Sequence, residues 1–361
     1  AEVEERLKDI IADTGFILGT YVEDFERRFA EAHEAKYCIG VSSGTDALHT
    51  ALTALGIGPG DGVIVPVNTF IATAEAVSLA GATPVFVDCD GYYNIDVNGM
   101  RRILENSQSK KQKIESRSQK SGDTEAEDQK SGSRRSTVHI PRIRGIVPVH
   151  LYGQPANMGE IMALAGEYDL HVIEDACQAH LARYKGRYVA NFGAFGAFSF
   201  YPGKNLGAFG EAGALITNDE ELYETAKMLR QHGEIERYHH SVIGHNYRME
   251  AIQGAVLGVK LKYLEEWTKK RRQNAALYNQ LLAGIGGIRT PKEIDDATCV
   301  YHLYVIQSDD RDGLRQHLQA HGIATGIHYP IPIHLQKAYA HLGHKPGDFP
   351  AAERAASRIL S

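Results

Sequence analysis

The sequence reads as an α/β protein: a large domain with a mostly parallel sheet wrapped by helices, then a smaller α+β domain. Three observations predict this. From about residue 37 to 232, short apolar runs of β type alternate with stretches of helical period. Beyond residue 249 the pattern changes to a long helix, a strand, a second helix and an extended Pro-rich stretch. The 361 residues, 43% hydrophobic and 23% charged, suit one sizeable core plus a smaller unit. The expected division is 1–249 and 250–361.

Residues 1–13 place Val3, Leu7, Ile10 and Ile11 at helical spacing, and 22–33 form a second amphipathic helix. A short strand over 37–41 runs into Ser42-Ser43-Gly44-Thr45-Asp46 and a helix over 47–55. A strand, a small polar loop and a helix N-terminus converge free N–H groups and the helix dipole on an anion, although a plain Ser/Thr/Asp cap uses the same residues. A strand over 63–67 leads through Asn68-Thr69-Phe70 into a helix ending near Leu79, and a strand over 84–88 follows. Phe70, just past a strand end, points toward the same place, where it would stack on a flat ligand; an ordinary core phenylalanine is the alternative.

Residues 107–136 differ in kind, being dense in Lys, Arg, Ser and Gln and almost free of apolar side chains. Such a stretch cannot offset its ordering entropy, so a disordered or mobile insertion is expected. Strands follow over 145–150, 171–174, 196–200 and 214–217, with helices over 158–168 and 220–232. The second part holds a long helix from about 250 to 282, a strand over 300–307, a helix over 310–321, an extended stretch over 327–334 and a helical pattern running into Ser361.

The chemistry concentrates in HVIEDACQAHLARYKGRYVANFGAFGAFSFYPGKNLGAFG, residues 171–210. Asp175 ends one apolar run, Ser199 ends the next, and a Pro-Gly loop then presents Lys204. A carboxylate, a hydroxyl and a lysine at adjacent strand ends stand where an open α/β sheet places its ligand. They match pyridoxal phosphate (PLP): Lys204 as Schiff-base lysine, Asp175 holding the ring nitrogen protonated, Ser199 donating to the phosphate. Singly, each has a plainer reading, as a solvated lysine, a helix cap or a loop hydroxyl.

Composition narrows the other classes. A formal charge of −6 speaks against general nucleic-acid binding but leaves room for a basic pocket. Cys38, Cys89, Cys177 and Cys299 lack metal spacing and read as buried thiols of a cytoplasmic protein. There is no HExxH, and His239–His240 reads as loop or surface, so no metal is expected. No apolar stretch reaches the roughly 20 residues that span a membrane, and no signal-peptide pattern opens the chain. A Rossmann dehydrogenase is disfavoured because no GxGxxG follows the first strand.

Seven segments, SSGTDALHTAL, PVNTFIATAEAVSLAGATPVFVD, VPVHLYGQPANM, VIEDACQAH, FSFYPGKNLGAFGEAGAL, IGHNYRMEAIQGAVL and GIHYPIPIHLQ, resemble the DegT/DnrJ/EryC1/StrS aminotransferases of nucleotide-sugar biosynthesis. The resemblance implies a fold type I, aspartate aminotransferase-like PLP enzyme, a homodimer with shared active sites. It implies Lys204 as the catalytic lysine and Asp175 as the pyridinium partner. Gln178 would meet the ring oxygen, Gly44, Thr45 and Ser199 the phosphate, and Phe70 the ring. Asn246 and Arg248 would cross to the other subunit's phosphate or substrate, and His328 and Tyr329 would line the sugar-nucleotide pocket. The implied reaction moves an amino group from L-glutamate to a keto sugar, most like the 3-keto members acting on UDP or dTDP sugars, with C4-keto substrates as the main alternative. Sugar dehydratases of the same family replace the lysine with histidine, and a silent regulatory protein would have lost Lys204, Asp175 or Ser199; this chain keeps all three. Three departures stand out: the 107–136 insertion, Leu181 where glycine is common after QAH, and termini shorter than typical.

Deleting 107–136 is expected to leave folding and activity largely intact, because changing the length of such a loop alters closure entropy by only about 0.6 kcal/mol per doubling. Soluble yield and turnover of the deletion variant check this.

Overall fold

The computed structural model describes residues 1–120 and 141–361. Helices α1 (Glu2–Asp13) and α2 (Thr20–Ala32) precede strand β1 (Tyr37–Val41), helix α3 (Gly44–Ala54), β2 (Asp61–Pro66), α4 (Ala72–Leu79), β3 (Thr83–Val87) and α5 (Val97–Lys120). Then come β4 (Arg142–Ile146), α6 (Met158–Tyr168), β5 (His171–Asp175), the short hairpin β6 (Arg183–Tyr184) and β7 (Arg187–Tyr188), β8 (Phe195–Ser199), β9 (Gly213–Thr217) and α7 (Glu220–Arg230). A second hairpin, β10 (Glu234–Glu236) and β11 (His239–His240), leads to α8 (Ala251–Lys260) and α9 (Leu264–Leu282). The chain ends through β12 (Ile288–Arg289), β13 (Ala297–Thr298), β14 (Ile306–Ser308), α10 (Arg311–Ala320), α11 (Pro350–Arg358) and β15 (Ile359–Leu360).

The central sheet has seven strands in the order β1-β9-β8-β5-β4-β2-β3. Strand β9 runs against both of its neighbours, and the other pairings are parallel. Successive side chains of a strand face opposite ways, and here they enter two different cores. Ile64, Ile146, Val172, Phe198 and Ile216 pack with Phe25 and Phe29 of α2, Met100 and Leu104 of α5, Ile161 of α6 and Leu257 of α8. Val63, Val65, Ile173, Phe195, Ala197 and Leu215 pack with Leu48 and Leu52 of α3, Val77 of α4 and Ala226 of α7. Helices therefore cover both faces, and the strand carboxyl ends stay open for a site. The expected α/β class is what forms.

The second part contributes a small antiparallel sheet, β12-β14-β15, with α10 and α11. Asp88, just past β3, caps α11 by accepting from Ala351 N at 2.9 Å and Ala352 N at 2.8 Å, which fastens this part to the main sheet.

Several boundaries differ from the expectation, each for a local reason. The long helix expected over 250–282 is two helices joined by a 3₁₀ turn, Leu261–Tyr263. Leu261 and Leu264 are both buried, and the tighter 3₁₀ turn eclipses residues three apart, bringing the two into line. The expected division at 249/250 falls just before α8, which packs on α2 so tightly that a Cβ on Gly254 would lie 2.9 Å from Val22 Cα. Of the strand expected over 300–307, only Ile306–Ser308 forms. Before it, side chains take the carbonyls: Asn205 Nδ2 donates to Val300, Arg272 to Cys299, and Arg271 to Tyr301 and His302. The chain closes as strand β15 on β14, not as a helix. The insertion expected over 107–136 begins inside α5, whose helix continues to Lys120 because Lys, Gln, Glu and Arg are good helix formers. Residues 121–136 lie outside the described residues.

One buried carboxylate organises the loop between β7 and β8. Glu174 is fully buried and accepts from Ala190 N at 2.7 Å, Phe192 N at 2.6 Å, Gly193 N at 2.9 Å and His150 Nε2 at 3.1 Å. Because His150 Nδ1 accepts from Ala156 N at 3.0 Å, the ring proton sits on Nε2 and points at Glu174. Glu174→Ala would strand three buried N–H groups and a ring N–H, so a loss of about 3–5 kcal/mol is expected, measured by denaturant unfolding.

Candidate active site

The strand ends deliver the side chains. Strand β5 ends at Asp175, which is nearly fully buried and has a donor on each oxygen. Thr73 Oγ1 donates to Oδ2 at 2.8 Å, and Cys177 N donates to Oδ1 at 3.1 Å. Thr69, in the bend before α4, and Thr73, in the first turn of α4, are four residues apart, their hydroxyls 3.0 Å apart and both buried.

Ser43 caps α3 by accepting from Asp46 N at 3.1 Å, while Ser42 Oγ donates to Asp46 Oδ2 at 2.6 Å. The simple-cap reading therefore holds for Ser43. Gly44 and Thr45 occupy the first turn, where N–H groups have no partner within the helix and suit an anion. Gly44 lies against β8: a Cβ there would meet Ser199 Cβ at 2.7 Å and Cys177 Sγ at 2.9 Å. Ser199 pairs with Gly213 across β8 and β9, and a Cβ on Gly213 would run into the Ser43 carbonyl. These two glycines let the α3 loop close onto Ser199.

Lys204 lies in the loop after β8, its N–H donating to the Tyr201 carbonyl at 2.8 Å. Leu206 is buried, and buried Asn205 bonds Val300 O at 3.2 Å and His302 Nδ1 at 3.3 Å, so the loop is anchored on both parts of the chain. Burial, with the charge of Lys204 adding to it, pulls the His180, His302 and His328 imidazoles below their usual pKa, so these rings add no positive charge near it.

The second part supplies a wall. Tyr329 lies 5.6 Å from Phe70, ring to ring, and Phe70 is 52% exposed, which rules out the ordinary core role. Gln178 accepts from Tyr152 N at 2.7 Å and donates to Tyr329 Oη at 3.1 Å. Burial pushes the Tyr329 phenol up to about 12, so it stays protonated. Tyr152 Oη donates to the His328 carbonyl, and His328 Nδ1 meets Ser361 Oγ at 3.0 Å.

Thus Gly44, Thr45, Phe70, Asp175, Gln178, Ser199, Lys204, His328 and Tyr329 gather at one end of the sheet. Asn246 and Arg248 do not join their network. Two guanidinium nitrogens of Arg248, Nε at 3.1 Å and Nη2 at 2.8 Å, donate to Asn246 Oδ1, and the segment runs beside Val41. Sequence reasoning passed over Thr73, whose hydroxyl reads as an unremarked helix position. Its signal was the spacing of four from Thr69, on the turn that follows a strand end.

A buried carboxylate with oriented donors, an anion cradle and a lysine in one cleft are the parts of a cofactor-dependent group-transfer site. The sequence profile of the DegT/DnrJ/EryC1/StrS aminotransferase family matches residues 1–114 and 132–361. The chain belongs to this family. It is 41% identical to the dTDP-3-amino-3,4,6-trideoxy-alpha-D-glucose transaminase of Streptomyces venezuelae, over all of this chain and 86% of that protein. The structure of DesV from S. venezuelae, solved in complex with a ketimine intermediate, superposes with a TM-score of 0.88 at 40% identity, covering all of this chain and 88% of that one. NtdA from Bacillus subtilis, solved with bound cofactor PMP, superposes with a TM-score of 0.83 at 30% identity, over 99% of this chain and 76% of that one. The solved structures share the fold already described, and the unmatched residues 115–131 fall within the insertion.

Gly44→Ala is expected to cost about 1–3 kcal/mol by overpacking the loop. Adding Ser199→Gly should recover part of it, since the Cys177 contact remains; urea unfolding of the single and double variants checks both.

Proposed function

We propose that the protein is a PLP-dependent aminotransferase that moves an amino group from L-glutamate to the keto carbon, at C3, of a UDP- or dTDP-linked sugar. The observation that carries this reading is the cleft itself, where Asp175 with oriented donors, the Gly44–Thr45 turn beside Ser199, and Lys204 lie together. The cleft fits the cofactor: it offers a buried anion for the pyridine nitrogen, an anion cradle for the phosphate, a primary amine for the carbonyl, and the exposed face of Phe70 for the ring. PMP in NtdA and the trapped ketimine in DesV support the same assignment.

When bound, PLP supplies an electrophilic carbonyl and a ring that accepts electrons from the substrate Cα. The chain does the rest. Asp175 keeps the proton on the ring nitrogen, and the Gly44 and Thr45 N–H groups with Ser199 Oγ hold the phosphate. Gln178 has spent one amide N–H on Tyr329, so its second is free for the ring oxygen. Lys204 would be the general base that moves the proton from the substrate Cα. L-Glutamate and water would give 2-oxoglutarate with the amino group left on the cofactor, and the keto sugar would then take up that amino group, release water and leave as an aminosugar. Phe70 and Tyr329 screen the reacting atoms from water, with His328 beside them.

We further read the protein as a homodimer in the cytoplasm. The β10–β11 hairpin and its exit expose Ile235, Tyr238, Val242 and Ile243, the last 93% exposed, immediately before Asn246. Apolar side chains in such a run suit a partner surface, and a second copy would take Asn246 and Arg248 into its site. Among the described residues no helix is long and apolar enough to cross a membrane.

The decisive experiment incubates purified protein with PLP, reduces it with borohydride and maps the labelled peptide, then assays glutamate with a panel of 3-keto and 4-keto nucleotide sugars. Label on Lys204, ping-pong kinetics and a preference for 3-keto acceptors are expected, with Lys204→Ala losing both label and turnover. Protein that takes up no PLP overturns the reading, whereas turnover of 4-keto sugars alone corrects only the acceptor.

A further inference from the structure

We infer that Thr69 and Thr73 form a hydroxyl relay that sets the direction of the hydrogen bonds around Asp175, making both positioning residues for the ring proton. The inference rests on the aminotransferase reading and deepens it. Thr73 Oγ1 lies 2.8 Å from Asp175 Oδ2 and 3.0 Å from Thr69 Oγ1. All three side chains are buried, at 1%, 5% and 5% exposure for Thr73, Thr69 and Asp175, so water does not take over these bonds.

The geometry alone leaves the direction of the Thr69–Thr73 bond open, and the carboxylate closes it. An ionised carboxylate accepts and cannot donate, so the single Thr73 hydrogen goes to Asp175. Thr69 must then donate to Thr73. The other oxygen, Oδ1, is already met by Cys177 N at 3.1 Å, another donor. Every contact from the protein side therefore presents a hydrogen to Asp175. A proton placed on the carboxyl would oppose the relay, whereas a proton on a facing ring nitrogen agrees with it. The start of α4 adds to this, because a helix N-terminus favours a nearby anion. Phe70 lies between the two threonines in sequence, so one turn supplies both the stacking face and the polarity.

The test loads the holoprotein with PLP carrying ¹⁵N in the ring and reads the nitrogen resonance, which separates protonated from neutral pyridine. In wild type the protonated position is expected. Thr73→Val removes the donor and should move the resonance toward the neutral position while slowing the glutamate half-reaction about tenfold to a hundredfold. Thr73→Ser keeps the hydroxyl and should restore both. Thr69→Val frees the Thr73 hydrogen to rotate and should give a smaller change of the same sign. Since Thr69 acts only through Thr73, the double variant should match Thr73→Val alone. A merely structural role would lower melting temperature without moving the resonance. An unmoved resonance in Thr73→Val, or effects of the two valines that simply add, overturns the relay while leaving the aminotransferase reading intact. A wild type that takes up no PLP overturns both.

Discussion

Two consecutive carboxylates, Glu174 and Asp175, leave the end of β5 on opposite faces of the sheet, and the rest of the cleft depends on that alternation. Glu174 turns inward and spends its oxygens on three backbone N–H groups and His150. Those bonds fold residues 190–193 back under β8, so that Phe195 enters the core and Ser199 arrives at the end of that strand. Asp175 turns the other way and is met by donors from α4 and from its own strand end. A slip of one residue in β5 would exchange the two roles, leaving a charge without donors on each face. Building the loop and serving the cleft are therefore one constraint.

The main sheet was legible because its strands are bounded by Gly, Pro, Ser and Asp, and the helices between them carry clear periods. Asp175, Ser199, Lys204 and the Gly44–Thr45 turn were legible for the same reason: each sits at a strand's carboxyl end or in the turn or loop just beyond it. What the sequence hid depends on partners distant along the chain. Glu174 looks like any strand residue until the 190–193 loop returns to it. Residues 300–305 have strand composition, but Asn205 takes the Val300 carbonyl and Arg271 those of Tyr301 and His302, and no ladder forms there. Helix α5 runs on past the buried Leu104 into the polar insertion, whose Lys, Gln, Glu and Arg are good helix formers.

Leu181 shows how a departure from a family pattern can have a physical account. Its φ is +65°, in the left-handed region that glycine enters freely and leucine at a cost of about 1–2 kcal/mol. The side chain is 8% exposed, and its burial offsets that cost. Its N–H meets His33 Nε2 at 3.3 Å. His33 Nδ1 in turn lies 3.0 Å from the Phe29 carbonyl, which fixes the tautomer that can accept from Leu181. Burial takes the His33 imidazole down to about 4, so this acceptor survives across the ordinary pH range. The backbone that glycine would supply is retained, and the difference is made up in packing.

The C-terminal part reaches the cleft through bonds to backbone as well as through side chains lining it. Asn205 grips the Val300 carbonyl, and the Tyr152 hydroxyl grips that of His328. Asp88 grips the first N–H groups of α11. Such bonds fix where a chain segment runs while leaving its side chains free to vary. Lys204 and Asp175 are held by the sheet, whereas Tyr329 and His328 ride on a segment tied down at its carbonyls. The path of the segment does not rest on these side chains alone: Tyr329 Oη takes one bond from Gln178 and His328 Nδ1 meets Ser361 Oγ, so exchanging either loses one bond and leaves the carbonyl contact in place. The polarity around Asp175 has no such freedom, since each donor there is fixed by the strand end or helix start that carries it.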